Sequence, residues 1–163
     1  CALRAKDICV LDQYVPCIRV VCAPNREQAA RTNLGIAYHA LSKYGKAIEY
    51  HQQALPILRD VYDRNGQAAA LINLGLAYRS LSQYGKAIEY HQQALPILRA
   101  VGDRNGEASA LTNLGLAYNS LSQYGKAIEY HQQALPIFRA VGDRKGEAAA
   151  LNNRGLAYRS LSQ

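Results

Sequence analysis

Residues 63–102 read DRNGQAAALINLGLAYRSLSQYGKAIEYHQQALPILRAVG, and residues 103–142 repeat this stretch with 35 of 40 positions identical. The same unit occupies residues 23–62 in a more diverged form and restarts at residues 143–163. Self-similarity at a fixed period of this length is typical of arrays in which each unit stacks on its neighbours. The repeat therefore predicts the fold of the whole chain.

Each unit carries two helical patterns joined by a short turn. The first, helix A, is predicted by apolar residues at helical spacing, which in residues 63–102 are Leu71, Leu74, Tyr78 and Leu81. The second, helix B, follows a turn near residues 82–85 and carries Ala87, Ile88, His91, Ala94, Leu95, Leu98 and Val101. Gly102 is predicted to cap helix B, and Asp103 to begin the next helix A. Because neither helix can bury its apolar stripe alone, the hairpins are expected to stack into an all-α solenoid.

The first residues of the chain keep the phase of the array. Lys6 and Ile8 fall 80 residues before Lys86 and Ile88, which indicates a diverged half-repeat resembling helix B. The predicted organisation is a half-repeat at residues 1–22, whole units at residues 23–62, 63–102 and 103–142, and a terminal helix A at residues 143–163.

The composition excludes two classes of function. With 163 residues, 49% of them hydrophobic, the chain lies in the range of ordinary globular proteins. It contains no run of about 18 apolar residues, so we expect no membrane span. The 19 Lys and Arg outnumber the 12 Asp and Glu, but they are scattered singly and make no stripe that could follow a phosphate backbone. We therefore expect no nucleic-acid partner.

The pattern of one unit resembles a known repeat family. The residues that carry the resemblance are Leu74, Gly75, Tyr78, Ala87, Tyr90 and Ala94, which stand at the signature positions of the tetratricopeptide repeat. The 40-residue period is similar to the longer variant found in Pins-type spindle adaptors, kinesin light chains and bacterial arrays. The resemblance covers nearly the whole chain, and it implies an α-solenoid superhelix that acts as a protein-interaction scaffold without catalysis.

Three residues depart from the family pattern. Leu71 stands where the family often has Trp, and His91 stands where it usually has a second aromatic residue. Pro96 lies inside the predicted helix B, where it removes one backbone donor at a cost on the order of 3 kcal/mol. Because a proline recurs at this place in each unit, we expect a repeated bend that sets the curvature, although inheritance from one duplicated ancestor explains the repetition equally well.

Helix A carries a second line of residues opposite its core stripe. The line is small and uncharged, as in Ala69, Asn73 and Ser80, where a solvated helix face would normally carry Lys and Glu. The resemblance implies that helix A lines the concave face of the solenoid, and that asparagine at this position contacts a bound peptide. The candidate groove residues are Asn33, Ile36, Asn73, Leu76, Arg79, Asn113, Leu116, Asn153, Leu156 and Arg159.

A packing explanation for the same line stays open. Tightly curved repeats shield their inner faces from solvent, so a small, uncharged stripe is required there whether or not a peptide binds. The neighbouring positions also lack the Lys or Arg with which some family members clamp a C-terminal carboxylate, since they hold Ala69, Ile72, Ser109 and Thr112. We expect no specificity of that kind.

One histidine recurs in each whole unit, at His51, His91 and His131. Zinc needs nitrogen ligands at about 2 Å, whereas packed helices of adjacent repeats lie roughly 8–10 Å apart. We therefore expect core histidines that are semi-buried and hydrogen-bonded rather than a metal site, with pH sensitivity as a second hypothesis. No HExxH, GxSxG or Gly-rich phosphate loop occurs. The sequence predicts no catalytic residue, no cofactor and no metal.

All four cysteines, Cys1, Cys9, Cys17 and Cys22, lie in the diverged half-repeat. An even number at one end is compatible with one or two disulfides that rigidify a terminal cap, for example Cys17 with Cys22, in an oxidising compartment. This favours an extracellular or secreted chain. Ordinary thiols in a cytoplasmic chain fit nearly as well, so both localisations stay open.

The two ends of the array are complementary. It begins with a helix B that lacks its helix A and ends with a helix A that lacks its helix B. Gln163 has the same repeat phase as Leu3, so a second copy placed end to end would continue the alternation, and such head-to-tail contacts generate open filaments. The expected partners are proteins or peptides, including further copies of this chain assembled into a filament. The alternative is a peptide-binding adaptor that is a fragment of a longer array.

Overall fold

A computed structural model describes residues 29–162, and within this span the chain forms helices and no strands. The first helix, α1, covers residues 29–40 of the described span. The others are α2 (Tyr44–Asp60), α3 (Arg64–Ser80), α4 (Tyr84–Val101), α5 (Arg104–Ser120), α6 (Tyr124–Val141) and α7 (Arg144–Leu161). Helices α1, α3, α5 and α7 correspond to helix A, and α2, α4 and α6 correspond to helix B. The prediction of an all-α solenoid is confirmed, and none of the described helices has the length and apolarity needed to cross a membrane.

The helices pack in two layers. From α2 onward each helix packs against the next one in the chain. In addition, α3 contacts α5 and α5 contacts α7, whereas no Cα atoms of the described helices α2, α4 and α6 lie within 8 Å of one another. Helices α2 and α4 meet only through longer side chains, as where Nε2 of Gln52 donates to the Tyr90 hydroxyl at 3.5 Å. The A helices therefore lie closer together than the B helices and form the inner layer of the curved array.

Glycine and aspartate set the boundary between units, as predicted. Gly102 follows α4 in the left-handed conformation, with φ of 73°, which glycine adopts without the steric cost of a Cβ atom. The Asp103 side chain then accepts a hydrogen bond from the Gly106 backbone N–H at 2.8 Å, and it caps α5. The turn inside each unit is shorter than predicted, because Tyr84 already begins α4 and only residues 81–83 lie between the helices.

The histidine of each whole unit is packed against a glycine of the same unit. A Cβ atom placed on Gly75 would lie 2.5 Å from Cε1 of His91, so the ring occupies the space that any larger residue would fill. His91 is 0% exposed, and neither of its ring nitrogens has a hydrogen-bond partner. The same holds for His51 on Gly35 and for His131 on Gly115.

The expectation of semi-buried, hydrogen-bonded histidines is therefore wrong. The missing Cβ of glycine lets the imidazole ring enter between the two helices, where its nitrogens are buried without a hydrogen-bond partner. Only the placement of these residues in the core stripe is confirmed.

Ionic contacts link one unit to the next. Glu107 of α5 is 4% exposed, and its carboxylate accepts from Nε of Arg99 in α4 at 2.8 Å and from Nη1 of Arg104. Glu147 repeats the arrangement with Arg139 at 2.7 Å and Arg144 at 2.9 Å. Between α2 and α3, Gln67 takes the place of the glutamate and donates to the backbone carbonyl of Leu58 at 3.0 Å. The joint between units formed by α2 and α3 is thus neutral at this position, whereas the joints formed by α4 and α5 and by α6 and α7 are ionic.

A tyrosine stack joins the two helices of each hairpin. The rings of Tyr78 in α3 and Tyr90 in α4 stack with centroids 5.3 Å apart, and Nζ of Lys86 lies 5.1 Å from the Tyr78 ring centroid. Nε2 of Gln52 in α2 donates to the Tyr78 hydroxyl at 3.3 Å. The contacts recur in the other units, so they hold helix A against helix B and one unit against the next.

Proline does not end helix B. Pro56, Pro96 and Pro136 lie inside α2, α4 and α6, and each helix continues past its proline for at least four residues. The proposed link between these prolines and curvature stays a prediction. The diverged half-repeat and its four cysteines lie outside the described residues.

Candidate peptide-binding groove

The candidate groove residues lie on the inner helices, where they are partly or fully accessible. Ile36 of α1 is 50% exposed and Leu156 of α7 is 39% exposed. Half-buried positions are Asn73, Leu76, Arg79, Asn113, Leu116 and Asn153, and the exposed ones include Asn33 and Arg159. The line predicted from the sequence therefore faces away from the core along α1, α3, α5 and α7.

Three of these residues meet at a cavity between the first two units. The cavity has a volume of about 150 Å³ and is lined by Ile36, His39, Ala40, His51, Asn73 and Leu76. Helix α1 supplies one wall, and α3 supplies the opposite wall through Asn73 and Leu76. The structure thus brings Ile36, Asn73 and Leu76 together, whereas the corresponding residues of α5 and α7 lie further along the array.

Sequence reasoning missed the part that His51 plays in this cavity. It assigned His51 to the core alone, because the residue lies on the apolar stripe of helix B. The contact depends on Gly35, since a Cβ atom at that position would lie 2.6 Å from Cε1 of the His51 ring. The recurrence of a glycine 16 residues before each of these histidines is the signal in the sequence that could have revealed it.

The cavity wall is electrically neutral where His51 contributes to it. Burial, and to a smaller extent the charge of His39, lowers the pKa of His51 to about 4. At neutral pH its ring is uncharged, with one nitrogen that donates and one that accepts. Neither nitrogen of His51 has a hydrogen-bond partner, and Nε2 of His39 has none either. These nitrogens are closed off by packing, so the polar group that the cavity offers to an occupant is the side-chain amide of Asn73.

The position of His39 differs from unit to unit. The equivalent residues are Arg79, Asn119 and Arg159. Arg79 contributes, after burial, to lowering the pKa of His91 to about 4, and Oδ1 of Asn119 is buried without a hydrogen-bond partner. The inner face therefore repeats its asparagines but varies its charge along the array.

The described residues do not indicate a metal-binding site. Among residues 29–162, no group of three or more His, Cys, Asp or Glu side chains is placed to hold a metal ion. The described groove offers hydrogen-bonding amides, apolar side chains and a few cations, which are suited to binding a polypeptide.

Comparison with known proteins identifies the repeat. The family model described as "Tetratricopeptide repeat" matches residues 26–100 and 106–163. No curated protein matches the chain.

Solved structures share the fold at low sequence identity. The apo form of RapI superposes with a TM-score of 0.79 and 17% identity over 84% of this chain. A kinesin-light-chain-like protein of nearly identical repeats from Podospora anserina gives 0.71 and 20% over 86%, and the Sgt2 tetratricopeptide repeat domain from Aspergillus fumigatus gives 0.65 and 25% over 83%. The chain spans 50% of RapI, 69% of the Podospora protein and 80% of the Sgt2 domain.

Proposed function

Because this chain belongs to the tetratricopeptide repeat family, we propose that its inner groove binds an extended segment of a partner protein. Tetratricopeptide repeats form protein-interaction scaffolds, and the fold is generally non-catalytic. The proposed role is accordingly binding without a chemical step. The partner segment would run along α1, α3, α5 and α7.

The observation that supports this proposal most directly is the cavity between α1 and α3. Its lining combines apolar walls, Ile36 and Leu76, with the side-chain amide of Asn73. An amide offers both a donor and an acceptor to the backbone of an extended peptide, while apolar side chains seat alternate peptide side chains. A stripe required only for packing would be filled by its own side chains, whereas this one leaves a volume of about 150 Å³ open.

A peptide-display selection against the 163-residue chain tests the proposal. Selected peptides would be synthesised, and their affinities would be measured for the wild type and for the double variant Asn73→Ala, Asn113→Ala. Loss of two amide contacts at roughly 1 kcal/mol each predicts a reduction in affinity of about 30-fold.

The matched control changes the same residue type outside the groove. Asn65→Ala, Asn105→Ala alters exposed positions in the first turns of α3 and α5, and binding should be unchanged. Equal affinity of the wild type and the Asn73, Asn113 double variant for the selected peptides would contradict the groove proposal.

A second candidate function, self-association, is favoured by the surface of α7. Leu151 is 37% exposed and Tyr158 is 48% exposed, whereas their equivalents in α5, Leu111 and Tyr118, are 1% and 9% exposed. In the preceding units this face is covered by a helix B. We propose that residues 1–22 of a second copy, which resemble helix B, cover it in a head-to-tail filament. In a longer chain that continues with a further helix B, that helix would cover this face of α7 instead.

Negative-stain electron microscopy of the 163-residue polypeptide over a concentration series tests self-association. Fibres with a regular superhelical repeat are expected, and they should be lost in the variant Leu151→Ser, Tyr158→Ser. Leu121→Ser, which changes a leucine of similar exposure in the turn after α5, is the control that should keep them. Loss of fibres on reduction would assign cysteines to the contact. Dispersed particles of the wild type at every concentration would rule out the filament.

A further inference from the structure

Two arginines give the inner face a positive charge. Arg79 lies in the last turn of α3 and Arg159 in the last turn of α7, at the repeat position that His39 occupies beside the cavity between α1 and α3. Arg79 is half-buried and Arg159 is exposed. Neither guanidinium group makes a hydrogen bond or a salt bridge with another described residue. Both cations are therefore available to a bound partner.

The carboxylates of the described residues lie away from these arginines. Glu107 and Glu147 of the inner helices are buried and paired with other arginines. Aspartates cap the starts of α3, α5 and α7, at the opposite ends of these helices from their last turns. The remaining acidic residues of the described span belong to B helices, namely Glu49, Asp60, Glu89 and Glu129. A segment that lies along the inner helices thus meets positive charge without an accessible carboxylate beside it, and this favours a segment of negative charge.

We propose that the partner segment in the groove is acidic, with one side-chain carboxylate paired to Arg79 and a second paired to Arg159. The assignment rests on the proposed groove function, because a segment that runs along α3, α5 and α7 brings a carboxylate to each arginine. A guanidinium group can donate two parallel N–H···O bonds to one carboxylate, which gives the contact a defined geometry. The proposal adds a requirement that the groove alone lacks, namely two acidic side chains within the segment.

The packing of the inner helices sets the distance between the two acidic residues. Helix α5 contacts both α3 and α7. Packed helices lie about 8–10 Å apart, which places the last turns of α3 and α7 roughly 16–20 Å apart. An extended chain advances about 3.3 Å per residue, so we expect the two acidic residues about five or six positions apart. Between the arginines, α5 carries the uncharged Asn119 at the equivalent position, so no third acidic residue is required there.

A purely structural role of the two arginines predicts a different result. A cation in the last turn of a helix also interacts favourably with the negative end of the helix dipole. Arg59 has this position at the end of α2, a helix of the outer layer. If Arg79 and Arg159 had only this role, their replacement would lower stability and leave the affinity for acidic peptides unchanged.

Peptides from the display selection serve as probes, together with analogues in which their acidic residues are replaced by the corresponding amides. Affinities for the 163-residue chain would be measured by fluorescence polarisation. The double variant Arg79→Gln, Arg159→Gln should bind the acidic peptides about tenfold more weakly, because two partly exposed ion pairs are lost. The amide analogues should bind both proteins equally, because the two changes remove the same contacts. The tenfold difference should shrink when salt is raised from about 0.05 M to about 0.5 M, since salt screens exposed charges.

Two further variants locate the effect. Arg59→Gln, Lys145→Gln removes the same two charges from exposed positions outside the groove, and the affinity for the acidic peptides should be unchanged. Asn119→Arg places a third cation between the first two, so it should strengthen, by about threefold, the binding of a peptide with an added glutamate midway between its acidic residues. An equal loss of affinity in the two double variants, or no loss in either, would overturn the proposal.

The acidic segment and the groove can fail separately. Selected peptides that lack the acidic pair but lose affinity in the Asn73, Asn113 variant would refute the acidic segment and leave the groove. Acidic peptides that depend on Arg79 and Arg159 but not on Asn73 and Asn113 would leave the charge contact and refute the asparagine-lined groove. A selection without any binding peptide would refute both.

Discussion

At the level of single residues, Tyr62 stands where the later units have glycine. Its φ is 56°, close to the 73° of Gly102 and the 74° of Gly142, and its side chain is 86% exposed. A left-handed conformation costs an L-residue roughly 1–2 kcal/mol. Glycine avoids this cost, but about half of the gain is offset because glycine loses more conformational freedom on folding. We expect Tyr62→Gly to raise the free energy of unfolding by about 0.5–1 kcal/mol in urea denaturation. The reciprocal change, Gly102→Tyr, should lower it by a similar amount, and a destabilised Tyr62→Gly variant would contradict this account.

The buried histidines make stability depend on pH. Burial, as the largest cause in each, lowers the pKa of His51, His91 and His131 to about 4, against about 6.5 in the unfolded chain. Between these values the unfolded state binds more protons, so the free energy of unfolding falls as the pH drops from about 6.5 towards 4. At pH 5 we expect a loss on the order of 1–2 kcal/mol per histidine.

Urea denaturation at pH 7, 6 and 5 measures this loss. His131→Phe removes one of the three rings whose pKa is lowered, so the decrease between pH 7 and pH 5 should shrink by about a third. Carboxylates titrate mainly below this window. A decrease of equal size in the variant would assign the pH dependence to other groups.

At the level of helices, the joints between units differ in a way that can be measured. Glu107 accepts from Arg99 of the preceding helix and from Arg104 of its own, whereas Gln67 at the equivalent position donates to a backbone carbonyl. Because glutamine already occupies the equivalent position at Gln67, we expect Glu107→Gln to fold and to form a similar neutral hydrogen bond. The variant loses the ionic interaction with the two arginines. We expect a loss of about 1 kcal/mol. Native-state hydrogen exchange should show the loss in α4 and α5, while the exposed Glu89→Gln control leaves the rates unchanged.

Local patterns and tertiary contacts were not equally predictable from the sequence. Gly102 and Asp103 could be assigned because a cap depends on the residue type at one position. The depth of the histidine rings could not, because it depends on a glycine of the neighbouring helix, as for Gly75 and His91. The candidate groove line was predicted from its lack of charge, but the cavity at Ile36 also required the distance between two units, which a repeat pattern does not give.

For the whole molecule, near-identity of the units means that the inner face differs from one joint to the next at only a few positions. The cavity set Ile36, His39, Ala40, His51, Asn73 and Leu76 corresponds in the next unit to Leu76, Arg79, Ser80, His91, Asn113 and Leu116. Of these differences, Arg79 for His39 is the largest in volume and charge. The array therefore provides an internal comparison in which one joint can be converted into the other.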